Sequence, residues 1–200
     1  MKIDEGYIKF ESNWVPGPAP AAEAVDRLER WRRPLFDEGL IGHYEDLGVG
    51  YGNISIRLGG NQFVISGTQT GHLAETTGEH YALVTGYDIA ANRVSSTGKV
   101  QASSESLTHA AIYELDQRIN AVVHVHSGKL WNTFRDQLPT TSPDVSYGTP
   151  EMAEEFRRLF GETDFAAMGI AVMGGHDEGI LSFGDTLEEA AVRVLSLAAA

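Results

Sequence analysis

The chain contains no cysteine. That excludes a disulfide framework, a thiolate metal site and a thiol nucleophile, and is compatible with a reducing compartment. Basic side chains are scarce: 15 Lys and Arg stand against 28 Asp and Glu, for a formal net charge of −13. A surface this negative repels phosphate backbones and argues against nucleic acid as a partner. A small anion is not excluded, because a helix N-terminus or a metal ion can hold one locally. Long apolar runs are also missing. Nothing approaches the roughly 20 residues that cross a bilayer, so no membrane partner is expected. The opening segment MKIDEGYIKF carries acids where a secretory leader has its apolar stretch. A cytoplasmic protein is the expectation.

What is present is an ordinary globular composition, 42 % hydrophobic and 22 % charged over 200 residues, enough for one domain with a real core. Residues 1–20 read as an arm in which YIKFESNW could pair as an edge strand before VPGPAP breaks regular structure. Residues 21–200 read as a single domain. A helix is expected across AAEAVDRLERWRRPLFDEGL, with Val25, Leu28, Leu35 and Leu40 inward, Pro34 kinking or dividing it, and the Gly39 and Gly42 region ending it. ISIR and QFVIS alternate apolar and polar residues around Gly59-Gly60-Asn61, which predicts a β-hairpin. HYALVTGYD and NRVSSTGKV predict two more strands with a turn at DIAAN.

SSESLTHAAIYELDQR reads as a helix capped by Ser103 or Ser104, with Glu105 in its first turn and Leu107, Ala110, Ala111 and Leu115 inward. NAVVHVHS reads as a strand, followed by a Pro/Thr/Ser-rich loop to Gly148. PEMAEEFRRLF is a helix with Pro150 at its first position, GIAVMGG and GILSFG are strands, and DTLEEAAVRVLSLAAA is a closing helix capped by Asp185 or Thr186. Helices and strands in this mixed order predict an α/β domain, its sheet mainly antiparallel or mixed and covered by helices.

Without cysteine, a metal site must come from the seven histidines and the carboxylates. His124 and His126 lie two apart in a strand and so project from one face, with Val123 and Val125 turned the other way into apolar packing. Two such imidazoles can share one ion, and a catalytic zinc takes three protein ligands and keeps a fourth position open. His176, in MGGHDEGI, is the third candidate, since the glycines beside it let the backbone approach another strand. A His-x-His pair also arises by chance, and acids favour a first helical turn for dipole reasons alone. Near a metal, however, Glu105 could take and return a proton. His109 shares a helix face with Glu105 and reads as a packing or hydrogen-bonding residue.

Taken in order, these pieces resemble the class II aldolase/adducin family from about Arg27 to the C-terminus. The matching segments are Gly52 to Arg57, Ile65 to Gly71, Ser103-Ser104-Glu105 followed by His109, Ala121 to Ser127, Tyr147 to Glu151, His176, the Phe183-Gly184 turn and Leu187 to Ala190. The resemblance implies a three-layer α/β/α fold, usually a homotetramer, with His124, His126 and His176 at the metal-binding positions. Zinc is the usual ion, and an all-His site also accepts Mn2+, Co2+, Fe2+ or Ni2+. Glu105 matches the catalytic acid/base. Gly52, Asn53, Thr70, Gly71, Ser103 and Ser104 match positions that hold a substrate phosphate in the sugar-phosphate aldolases. Those aldolases carry a longer segment after the second histidine, supplying a proton-donating tyrosine; the stretch from Ser127 to Tyr147 is short, and that tyrosine has no counterpart here.

The expected activity is reversible aldol cleavage of a hydroxy-carbonyl compound, such as a sugar phosphate, through a metal-stabilised enediolate. The same site could instead serve a ketose-phosphate dehydratase or 4-epimerase. Family epimerases carry Asp where Glu105 stands, which disfavours the last. A non-enzymatic adducin-like module would lack the metal ligands that this chain keeps.

Overall fold

The computed structural model describes residues 6–199. In chain order the strands are β1 (Glu11–Pro16), β2 (Gly42–Tyr44), β3 (Val49–Tyr51), β4 (Asn53–Gly59), β5 (Gln62–Ser66), β6 (Tyr81–Asp88), β7 (Arg93–Gly98), β8 (Ala121–His126), β9 (Ile170–Val172) and β10 (Gly179–Gly184). The helices are α1 (Ala22–Asp37), α2 (Ser106–Leu115), α3 (Gly128–Phe134), α4 (Pro150–Glu162), α5 (Phe165–Met168) and α6 (Leu187–Ala198). Among the described residues, eight strands form one sheet in the order β1-β7-β6-β5-β4-β8-β10-β9, and β2 with β3 forms a separate pair. All neighbours in the large sheet run antiparallel except β1 and β7. This is the expected α/β/α architecture with a mixed, mainly antiparallel sheet.

The strand pleat sorts the core into two layers. Phe63, Ile65, Val122, Leu181 and Phe183 pack on one face with Leu107, Ala110 and Ala111 of α2 and with Met152, Phe156 and Leu159 of α4. Ile54, Ile56, Val64, Val123, Val125 and Ile180 pack on the other, against Val25, Leu28 and Leu35 of α1 and Ala190, Ala191 and Val194 of α6. Successive residues of one strand enter opposite cores because side chains alternate with period two.

Several local expectations change. The edge strand begins at Glu11 and runs through Pro16, parallel to β7, so part of the VPGPAP segment is paired rather than broken. Helix α1 is continuous through Pro34. Proline removes only the bond to the Arg30 carbonyl, and Arg30 is exposed, so water can take that partner's place. Neither Ser103 nor Ser104 caps α2: Glu105 itself is the N-cap, with φ −92° and ψ 4°. Leu115 is only partly buried, while every residue of α2 from Ser106 to Tyr113 is buried. The segment after β8 is not all loop, since α3 starts at Gly128 with the Ser127 hydroxyl accepting from the Leu130 amide. The β2–β3 pair was not expected.

Candidate metal centre

Strand β8 is rich in β-branched residues, and its pleat turns His124 and His126 onto the α2 side of the sheet, where Val122 begins the apolar core. Across the sheet, His124 lies opposite Asn53 of β4 and Leu181 of β10, and His126 lies opposite Gly179. Gly179 is there for space: a Cβ would come within 2.7 Å of His176 Cδ2 and 3.3 Å of His124 Nε2. The third imidazole fills that room. Its turn is fixed by hydrogen bonds from the His176 amide to Met173 O (3.2 Å) and from the Gly179 amide to His176 O (2.9 Å). Gly174 and Gly175 lie flat against the Thr141 and Val145 carbonyls, with no room for a side chain.

The result is a closed cluster. Ring centroids of His124, His126 and His176 stand 4.9, 5.1 and 4.7 Å apart in the three pairings. One nitrogen from each ring lies within 4.8 Å of the others. Nε2 of His126 is 3.1 Å from Nε2 of His176. All three are buried, and burial depresses their basicity: His124 falls to about 3, and His126 and His176 fall well below the usual imidazole value. Neutral imidazoles with available lone pairs are the form that binds a metal.

Glu105 completes the group. The chain enters α2 through a turn in which the Ser103 amide bonds to Ser66 O (3.2 Å) and the Glu105 amide bonds to Ser103 Oγ (3.2 Å). This sets Oε1 of Glu105 3.4 Å from His176 Nε2. The residue is fully buried. Burial pushes its carboxyl up to about 7, partly offset by the Thr108 hydroxyl and the Lys9 charge. A carboxyl poised there can both give and accept a proton near neutral pH.

The residues fit a divalent ion. His124 Nε2 and both Glu105 oxygens are buried without a hydrogen bond of normal geometry among the described residues. Such groups are costly unless something polar meets them, and the donor set of three imidazoles suits a first-row ion. Asn53 supports His124, with its amide nitrogen 3.3 Å from Nδ1 and its Oδ1 unpartnered. Amide oxygen and nitrogen exchange places by a 180° turn. The turned form accepts a proton from Nδ1 and leaves Nε2 free for a ligand bond.

Gly52, Asn53, Thr70, Gly71, Ser103 and Ser104 line a single small cavity, joined there by Gly6 and Gln69. Its volume is about 10 Å³, room for about one water. Within this lining Gly6 O accepts from the Gln69 side chain at 3.3 Å. Gln69 also borders a cleft of about 530 Å³ lined by His43, Glu45, Gly48 and His72, a size suited to a small substrate. Buried Arg32 braces the cavity's loop by donating to Thr70 O (3.1 Å) and Leu73 O (2.7 Å).

Other neighbours were not singled out as site residues in the sequence, although Tyr147 lies in one of the segments that carry the resemblance. Tyr147 lays its ring on His176 at 4.4 Å, and the Lys9 ammonium sits 3.7 Å from the centre of that ring. Tyr44 and Glu178 lie behind His126. His109 is placed as expected, hydrogen-bonded to Ser55 Oγ at 2.7 Å within the core.

The α/β/α fold thus carries a buried three-histidine group that could hold a metal ion, beside a buried glutamate. Residues 41–200 match the family model described as Class II Aldolase and Adducin N-terminal domain, and the chain belongs to that family. No curated protein gives a significant match to the sequence. Among solved structures, L-fuculose 1-phosphate aldolase aligns with 17 % identity and a TM-score of 0.65, covering 90 % of this chain and 85 % of that one. A sugar-phosphate aldolase from Thermotoga maritima aligns with 17 % identity, a TM-score of 0.62 and coverage of 88 % and 91 %. YgbL from Klebsiella pneumoniae aligns with 17 % identity, a TM-score of 0.65 and coverage of 88 % and 86 %. At this identity the likeness shows the shared fold.

Proposed function

We propose that the protein is a metal-dependent lyase that makes or breaks a C–C bond in a hydroxy-carbonyl compound. The observation that carries this reading is the Glu105 carboxyl, fully buried and 3.4 Å from His176 Nε2 at the three-histidine cluster. His124, His126 and His176 would hold the ion, with zinc first and Mn2+, Co2+, Fe2+ or Ni2+ as alternatives. Bound there, the ion would supply Lewis-acid stabilisation of the charge that develops on the substrate carbonyl as the C–C bond breaks. Glu105 then returns a proton to the carbon left behind and removes one in the synthetic direction. Its burial keeps water away from that exchange. Gly52, Asn53, Thr70, Gly71, Ser103 and Ser104 would hold an anionic group of the substrate. The reading extends to a cytoplasmic homotetramer. The family membership supports the assembly; the absence of cysteine and of any described helix long and apolar enough to cross a membrane is consistent with the compartment.

The test is metal content and turnover measured together. His124→Ala and His126→Ala each remove a ligand and are expected to abolish stoichiometric metal by elemental analysis, with aldol cleavage falling by at least about 100-fold. Full turnover by metal-free protein would overturn the proposal. Wild-type protein that binds no metal would instead favour a non-enzymatic role.

A further inference from the structure

His126 can serve as a ligand through only one ring nitrogen; the other must carry the proton and needs an acceptor. Nε2 faces His176, so the remaining nitrogen is Nδ1, and the atom 3.1 Å from it is Tyr44 Oη. A phenol accepts well when its own proton is engaged elsewhere. Here it is: Tyr44 Oη donates to Glu178 Oε2 at 2.6 Å. With Nε2 bound to an ion, the order would run from Nδ1–H to Tyr44 Oη and from Oη–H to Glu178 Oε2.

The far end of this chain is built with care. Glu178 has φ +66°, a left-handed conformation that costs a non-glycine residue of order 1 kcal/mol or more. Its carbonyl is held by the Ser127 amide at 2.9 Å. Gly128 leaves room for its carboxylate, since a Cβ at that position would lie 2.9 Å from Glu178 Oε1. Tyr44 ends β2 and packs its ring on Tyr51 of β3 at 4.5 Å, while Tyr51 leans on His126 at 5.5 Å. The two-stranded unit outside the main sheet thus presents Tyr44 to the Nδ1 side of His126.

We propose that Tyr44 and Glu178 are positioning residues that fix the tautomer and ring orientation of His126 and strengthen Nε2 as a donor. The proposal rests on the metal reading of the three histidines. Neither residue touches the reacting atoms; both act through His126.

The experiment measures zinc affinity by chelator competition for wild type, Tyr44→Phe, Glu178→Gln, Tyr51→Phe and His126→Ala. Tyr44→Phe is expected to weaken zinc binding about 10- to 100-fold, the usual effect of losing a ligand's outer partner, and Glu178→Gln to act in the same direction by less. Tyr51→Phe removes a neighbouring hydroxyl that donates to Gly39 O, outside the chain, and keeps wild-type affinity. In Co2+-loaded protein the visible bands of Tyr44→Phe shift from those of wild type, a change that loss of general stability would not produce. If Tyr44→Phe and Glu178→Gln stay within twofold of wild type while His126→Ala loses the metal, the positioning role is wrong and the metal centre stands. If wild type itself holds no zinc or cobalt, the metal centre and the proposal fall together.

Discussion

Gly179 occupies a position in β10 where a side chain would collide with the cluster. It faces His126 across the ladder, and its missing Cβ makes space for the edge of the His176 ring. Replacing it by alanine puts a methyl carbon 2.7 Å from His176 Cδ2, closer than real Cβ contacts allow, so the ring or the strand must shift. Gly179→Ala is expected to lower metal affinity by more than tenfold while costing only about 1–3 kcal/mol of stability, the usual range for overpacking. Zinc competition and a denaturant melt on the same protein check both halves. Unchanged affinity would show that the His176 ring is not confined by this strand.

Among the secondary elements, β1 of the N-terminal arm and helix α1 lie before residue 41, where the match to the family model begins. The arm adds β1 beside β7 and stitches itself to the site. The Tyr7 amide donates to Tyr147 Oη at 3.1 Å, and Lys9 reaches Ser146 and the Tyr147 ring. Lys9 is the cation whose field is felt at both Glu105 and His176. In a protein with net charge −13, an ammonium whose field reaches the cluster would help draw in the anionic substrate proposed above. Lys9→Met is expected to raise KM for an anionic substrate about fivefold, roughly 1 kcal/mol for a partly exposed charge, with kcat nearly unchanged. Steady-state kinetics at low and high salt check this, and the difference should shrink at high salt.

The edge strand of the arm was expected, but neither the Tyr7–Tyr147 contact nor the Tyr44–Glu178 contact was legible in the sequence, and the reason is range. Tyr7 and Tyr147 are 140 positions apart, and Tyr44 and Glu178 are 134 apart, so no local period links them. Strands β2 and β3 have three residues each, too short to show alternation. The α3 helix hides in a segment whose composition signals loop. By contrast, Ile54 and Ile56, Phe63 and Ile65, and His124 and His126 each repeat at period two. A pleat converts that spacing directly into one face, so the hairpin and the histidine pair could be read before any coordinates. His176 and Glu105 were legible through composition and motif, and only the fold brings them together.

On the scale of the whole molecule, the sheet separates two apolar cores, and the helix that carries Glu105 is tied to the sheet through one of them. Ser55 of β4 bonds at 2.7 Å to His109 of α2 and at 2.7 Å to Tyr113, a polar thread in the same layer as the three-histidine cluster. His109 is fully buried, and burial, followed by the neighbouring His124, holds its basicity well below the usual 6.5. A base whose folded pKa is lowered stays neutral in the native state while the unfolded chain takes up a proton below about 6.5. Stability from this residue is therefore full above that pH and is lost as the pH falls, by up to about 1.4 kcal/mol per pH unit. Between pH 7 and pH 5 the loss amounts to about 2 kcal/mol. His109→Gln cannot titrate, so although its stability at pH 7 is expected to be lower than wild type, its decline toward pH 5 should be shallower by that amount. Denaturant unfolding of both proteins at the two pH values, with chelator present so that metal release does not contribute, measures the difference. Parallel declines would mean that His109 is protonated in the folded protein and that the thread to Ser55 is not held by a neutral imidazole.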